Sequence, residues 1–269
     1  MKKMIDTHCH LNDKMLVTRV EEIVNNFEND NLLQAIVVGY DFISSKSAIE
    51  LAQKYENLYA VIGMHPSDAD KWDDEFATFL KDNLSSEKVL ALGEIGLDYH
   101  YENYSKEQQE FVFVEQLKIA NECNMPIVIH IRDAMGDLID ILRRNKHLIN
   151  NGGVVHCYNG SVESYKILRE FGFKFSFGGA ITFKNARNAP ELLKVVDIND
   201  ILLETDCPYL TPEPYRGKVI NEPKYVSCVA NKIAEYKGVD VDTVIEAANR
   251  NTYEVFNKLR KNWWLKSWI

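Results

Sequence analysis

The 269-residue chain has no apolar run approaching the roughly 18 residues a membrane-spanning helix needs. Its first residues, Met-Lys-Lys-Met-Ile-Asp-Thr-His, turn polar too early to hold the apolar region of a secretory signal. The five cysteines, Cys9, Cys123, Cys157, Cys207 and Cys228, are odd in number and include no Cys-x-x-Cys pair. Neither a disulfide framework nor a thiolate zinc finger is therefore indicated, and a reducing, cytoplasmic setting is expected. Positive charge is also in short supply. A formal net charge of -9 argues against a broad basic face for gripping duplex nucleic acid, while leaving room for a phosphate held by metal ions. No Pro/Gly/Ser-rich linker and no low-complexity segment interrupts the chain, so one body with a real core is expected.

What the chain does contain is a rhythm. Short runs rich in Val, Ile and Leu fall at 4–11, 32–40, 59–66, 89–98, 126–132, 153–158, 174–179 and 201–209, separated by longer amphipathic stretches. Buried parallel strands alternating with crossover helices read this way. The clearest helix is 105–123, where Ser105 and Gln108 form a capping-box pattern and Phe113, Leu117 and Ala120 share a face. Eight strand–helix units without a linker predict an α/β fold: a single TIM-type (β/α)₈ barrel over residues 1–260 with an extra C-terminal helix, about 241–261. A tail at 261–269 carries Trp263, Trp264 and Trp268; it is expected to fold back on a monomeric barrel, the alternative being a partner contact.

Five of the seven histidines, His8, His10, His65, His130 and His156, fall at or near the C-terminal ends of expected strands. In such a barrel those ends converge on one face, where active sites are built. Glu94 and Asp206 end the fourth and eighth strands on the same rim. His8 and His10 are two residues apart, so both imidazoles face one side while Cys9 faces the helices. Asp6 shares their parity and is expected to orient a ligand or line the pocket. A lone strand histidine is ordinarily a hydrogen-bonded core residue; five on one rim with two carboxylates form a cation-binding set. Mixed imidazole and carboxylate ligands suit zinc, manganese, nickel or iron. The six candidates His8, His10, Glu94, His130, His156 and Asp206 exceed one tetrahedral site, so two divalent ions are expected with Glu94 as the bridge. Cys9, Cys157 and Cys207 adjoin ligands on the opposite strand face and read as buried thiols.

These residues stand in longer motifs: Ile-Asp-Thr-His-Cys-His-Leu at 5–11, Gly-Met-His-Pro at 63–66, Gly-Glu-Ile-Gly-Leu-Asp-Tyr at 93–99, Pro-Ile-Val-Ile-His-Ile-Arg-Asp-Ala at 126–134, His-Cys-Tyr-Asn-Gly-Ser at 156–161, and Leu-Glu-Thr-Asp-Cys-Pro-Tyr-Leu-Thr-Pro at 203–212, followed by Arg-Gly at 216–217 and Asn-Glu-Pro at 221–223. Together they resemble the TatD family of metal-dependent deoxyribonucleases. Tyr158 and Asn159 depart from the Phe and Thr common in that family.

The resemblance implies one ion on His8, His10, Glu94 and Asp206 and a second on Glu94, His130 and His156. Their identity is open among magnesium, manganese and zinc. It implies hydrolysis of phosphodiesters in DNA, commonly from single-stranded or 3′ ends, by a two-metal-activated water. His65 would contact the substrate phosphate, with Arg132 and Arg216 as further anion-binding candidates. Asp206 is the expected proton acceptor and Asp98 a supporting or leaving-group residue. Tyr99, Tyr101 and Tyr104 are available to stack bases, although ordinary loop packing is their commoner role. A related set of amidohydrolases bridges its ions with a modified lysine where this chain has Glu94. An amidohydrolase or esterase acting on a small molecule or an aminoacyl-tRNA end is therefore the rival enzyme reading, and a non-catalytic metal-binding interaction protein the third.

Overall fold

A computed structural model of the chain describes residues 1–100 and 105–259. Each apolar run becomes a strand: β1 (Met4–Cys9), β2 (Leu32–Val38), β3 (Leu58–Ile62), β4 (Val89–Asp98), β5 (Ile127–Arg132), β6 (Gly153–Val155), β7 (Phe173–Phe177) and β8 (Ile201–Leu203). They pair in parallel in chain order. The seam between β8 and β1 is closed by the Asp206 N–H to His8 O (2.9 Å), the His10 N–H to Cys207 O (2.7 Å) and the Thr7 hydroxyl to Leu203 O (3.0 Å). The result is the expected (β/α)₈ barrel.

Alternation along the strands divides the apolar side chains between two cores. Ile5, Ile36, Val61, Val128, Val154 and Leu202 fill the barrel interior. Their neighbours Met4, Val37, Ala60, Ile129, Val155 and Leu203 face the helices instead. The helices are α1 (Val20–Asn25), α2 (Phe42–Lys54), α3 (Asp74–Leu84), α4 (Lys106–Glu122), α5 (Met135–Arg144), α6 (Val162–Arg169), α7 (Ala189–Val195), α8 (Val226–Lys237) and α9 (Val241–Val255). Phe256 and Leu259, just past α9, join the interior cluster. Lys258 secures them by donating to Leu84 O, Ser86 O and Val89 O at the start of β4. The N-terminal end of the barrel is thus sealed, each plugging side chain contributing roughly 1.5–3 kcal/mol of burial. Among the described residues no helix is long and apolar enough to cross a membrane.

Three expectations are corrected. The helix that begins at Val241 is interrupted after Val255, because Phe256 (φ -97°, ψ 75°) leaves it and its ring enters the barrel, and helical backbone resumes at 257–259. The capping box of α4 is half made: the Ser105 hydroxyl accepts the Gln108 N–H at 3.2 Å, but the Gln108 side chain donates to Ala69 O at 3.1 Å instead of returning to Ser105. Several strands are also shorter at their C-terminal ends than the apolar runs. There the chain leaves the ladder to turn over the rim, and Cys157 (φ 46°) and Asp206 (φ 55°) take left-handed conformations that non-glycine residues rarely adopt. At Gly96 (φ 141°) an added Cβ would lie 2.1 Å from His130 O, so only glycine lets β4 approach β5 there. The Trp-rich tail, Tyr101 and Tyr104 lie outside the described residues.

Candidate metal centre

The strand ends bring His8, His10, Glu94, His130, His156 and Asp206 into one buried cluster. Glu94 stands between two groups of imidazoles. Its Oε1 lies 2.7 Å from His130 Nδ1 and 2.8 Å from His156 Nε2, while its Oε2 lies 3.4 Å from His8 Nε2 and 4.0 Å from His10 Nε2. Asp206 Oδ1 closes the second side, 3.3 Å from His10 Nε2 and 3.9 Å from His8 Nε2. Three sets of ligand atoms in this cluster lie within 4.8 Å of one another, His8–Glu94–His156, His8–His10–Asp206 and His65–Asp98–His130; among the described residues a fourth set, Asp6–Cys9–Cys207, lies apart from the six candidates. The third set goes beyond the six candidates, because His130 Nε2 is 3.1 Å from Asp98 Oδ2.

The protonation pattern follows from what each ring touches. His10 Nδ1 is 3.0 Å from Val38 O, a pure acceptor, so Nδ1 carries the proton and the Nε2 lone pair faces Asp206 and Glu94. His65 is set the other way: Nδ1 accepts the Ser67 N–H at 3.0 Å, which leaves the Nε2–H directed into the cleft, 3.7 Å from Glu94 Oε1. Burial and the neighbouring His130 push the His65 pKa down to about 4, so this ring is neutral. Burial opposes ionisation of Glu94, but His156, His130 and His8 outweigh it and hold its carboxyl well below the usual range. Burial is likewise overcome at Asp206, by His10.

A divalent cation fits this donor set. Neither ring nitrogen of the buried His8 has a hydrogen-bond partner, nor has His156 Nδ1. A buried imidazole left this way is costly unless something accepts its lone pair, and His8 Nε2 faces two ionised carboxylates.

The remaining candidates fall into two groups. Asp98, Arg132 and His65 line the same cleft, of about 350 Å³, as the cluster. Arg216 does not line it; its guanidinium lies 3.7 Å from the centre of the Phe183 ring. Tyr99 packs against the core and beneath the Lys106 amine. Asp6 is turned away from the pocket because the pairing of β1 with β2 slips between Asp6 and Cys9, which breaks the parity that would have aligned it with the histidines. Its carboxyl instead accepts the Thr205 N–H (2.9 Å) and hydroxyl (2.6 Å), and burial pushes its pKa up to about 8. Cys9 and Cys207 are buried, whereas Cys157 is only half-buried.

Glu204 received no role from sequence. It is wholly buried behind His156, with Oε1 3.6 Å from His156 Nδ1 and accepting the Cys157 N–H at 2.7 Å, while Oε2 accepts the Ser176 hydroxyl. The available signal was its place two residues before Asp206, beyond an otherwise apolar strand.

A family profile described as TatD related DNase matches residues 5–257. The chain is 40% identical over 253 residues to the metal-dependent hydrolase YabD of Bacillus subtilis, covering 94% of this chain and 98% of YabD. It is 33% identical over 258 residues to the metal-dependent hydrolase YcfH of Escherichia coli, covering 94% and 96%. The crystal structure of YjjV, a TatD homologue from Escherichia coli, superposes with a TM-score of 0.89 at 29% identity over 94% of this chain and 98% of that one. With an eight-stranded barrel carrying a histidine–carboxylate cluster at its rim and a profile match over nearly its whole length, the chain belongs to the TatD-related family of metal-dependent hydrolases.

Proposed function

We propose that the protein is a deoxyribonuclease that hydrolyses phosphodiester bonds at single-stranded or 3′ ends of DNA, using two divalent ions bridged by Glu94. The observation that carries this reading is the division of the Glu94 carboxylate, one oxygen toward His130 and His156, the other toward His8 and His10. His8, His10, Glu94 and Asp206 would hold one ion, and Glu94, His130 and His156 the other. Bound there, the ions would polarise a phosphoryl oxygen and make water acidic enough to attack near neutral pH.

The chain's own groups do the rest. Asp206, held ionised, is partly open to the cleft and can accept a proton at Oδ1. The neutral His65 presents Nε2–H as a donor to a phosphate oxygen, and Arg132, on the cleft wall, supplies a cation where charge accumulates. Asp98 fixes His130 from behind through Nε2.

The test combines elemental analysis with digestion of 3′-labelled single-stranded DNA by metal-reconstituted protein. Release of labelled nucleotide that requires both the divalent metal and Glu94 is expected. Metal-loaded protein that cleaves carboxylic ester or amide panels, but no DNA, would sink the nuclease reading in favour of a small-molecule hydrolase.

A further inference from the structure

A second cleft, of about 420 Å³, lies between the loops that follow β6 and β7, on the same rim as the metal centre. It shares no lining residue with the metal cleft, but the consecutive residues His156 and Cys157 line one cleft each. Cys157 in its wall directly follows His156. Gly178, also in its wall, is placed so that an added Cβ would lie 3.5 Å from Glu204 Oε1, the atom behind His156.

Its chemistry contrasts with that of its neighbour. The metal cleft is lined by Asp68, Glu94, Asp98 and Asp206, whereas no acidic side chain lines the second cleft, in a chain of net charge -9. Ile181, Phe183, Ala189 and Leu192 give it apolar walls. Around them stand the solvent-facing amides of Asn159, Asn185 and Asn188. The loop after Asp206 reaches over to the same place. Arg216 stacks on Phe183 at 3.7 Å, and the Glu213 N–H donates to the Thr182 hydroxyl at 2.9 Å, tying the two loops together.

A planar heteroaromatic ring needs this combination. Its faces want apolar or planar groups, and its edge wants side chains that both donate and accept, as amides do. The exposed Arg187 in the cleft's lining suits the backbone that such a ring carries. We propose that this cleft receives the nucleobase of the nucleotide whose phosphodiester lies at the metal centre, so that base-bearing ends are selected over base-free ones. The proposal rests on the nuclease reading above and assigns its recognition subsite.

The test compares two 5′-labelled oligonucleotides, one ending in an ordinary 3′ nucleotide and one in an abasic 3′ nucleotide. Wild-type protein is expected to favour the ordinary end by about tenfold or more in kcat/KM, the scale of one lost base stack. Ala186→Trp, which fills the cleft from a half-buried wall position, and the double variant Asn159→Ala with Asn188→Ala are both expected to collapse that preference. Deoxyadenosine, which has no phosphate for the metals, is titrated calorimetrically into the same three proteins and is expected to bind the wild type alone. Equal cleavage of both ends by the wild type, or a preference that survives in both folded variants, overturns the cleft assignment. If no DNA is cleaved at all, the nuclease reading falls and the nucleoside titration decides the cleft separately, absence of binding overturning it.

Discussion

Glu204→Gln isolates the contribution of a buried carboxylate that touches no cleft. The amide keeps the shape and can still accept the Cys157 N–H, so the packing is preserved while the charge facing His156 Nδ1 at 3.6 Å is lost. A full charge pair at that distance is worth about 4.6 kcal/mol at an effective dielectric of about 20. An imidazole bound to a cation carries only part of that charge, and a third to a half of the attraction corresponds to roughly ten- to fiftyfold in metal affinity. Competition against a chromophoric zinc chelator measures it, with circular dichroism and a thermal melt as controls for folding. The melt is expected to stay close to wild type, because the substitution also removes the cost of a wholly buried charge. Metal affinity within twofold of wild type in the folded variant would refute the claim that the Glu204 charge strengthens the hold of His156 on a cation.

Glu94→Ala is expected to empty the centre, seen as loss of bound metal by elemental analysis, and to lower hydrolysis by about a thousandfold or more; substantial cleavage by that variant defeats the two-ion arrangement. His65 links stability to pH. Its folded pKa of about 4 lies below the ordinary value of 6.5, so the unfolded chain takes up the proton first as pH falls. The contribution, about 3 kcal/mol, is fully present above pH 6.5 and is lost as pH falls through 4. His65→Gln should flatten that slope in urea titrations of the metal-free protein, and an unchanged slope would assign it to other groups. Phe256→Ala removes a ring that is 1% exposed and should cost about 3–5 kcal/mol of unfolding free energy with kcat nearly unchanged; a loss under about 1 kcal/mol would mean the barrel floor is not held by that ring.

The barrel was legible because its signal is redundant. Every strand is buried on both faces, so each appears as an apolar run whatever its exact register. The histidine–carboxylate cluster was legible for a related reason: side chains at the converging ends of β1, β3, β4, β5, β6 and β8 need little knowledge of register to be brought together. What depended on register was lost. Asp6 was assigned by parity, and a slip of pairing inside β1 reversed its face. Gln108 was assigned to its own helix end, but its partner, Ala69 O, comes from 39 residues earlier. Glu204 lay in plain view beside Asp206, yet its partner His156 belongs to another strand.

The side chains that fill the interior, closed below by Phe256 and Leu259, make the barrel a cup and not a pipe. A polymer cannot be threaded through a cup. Whatever enters over the rim must leave over the same rim, so substrate and products share one mouth, and the loops around that mouth alone decide what is admitted and what is let go.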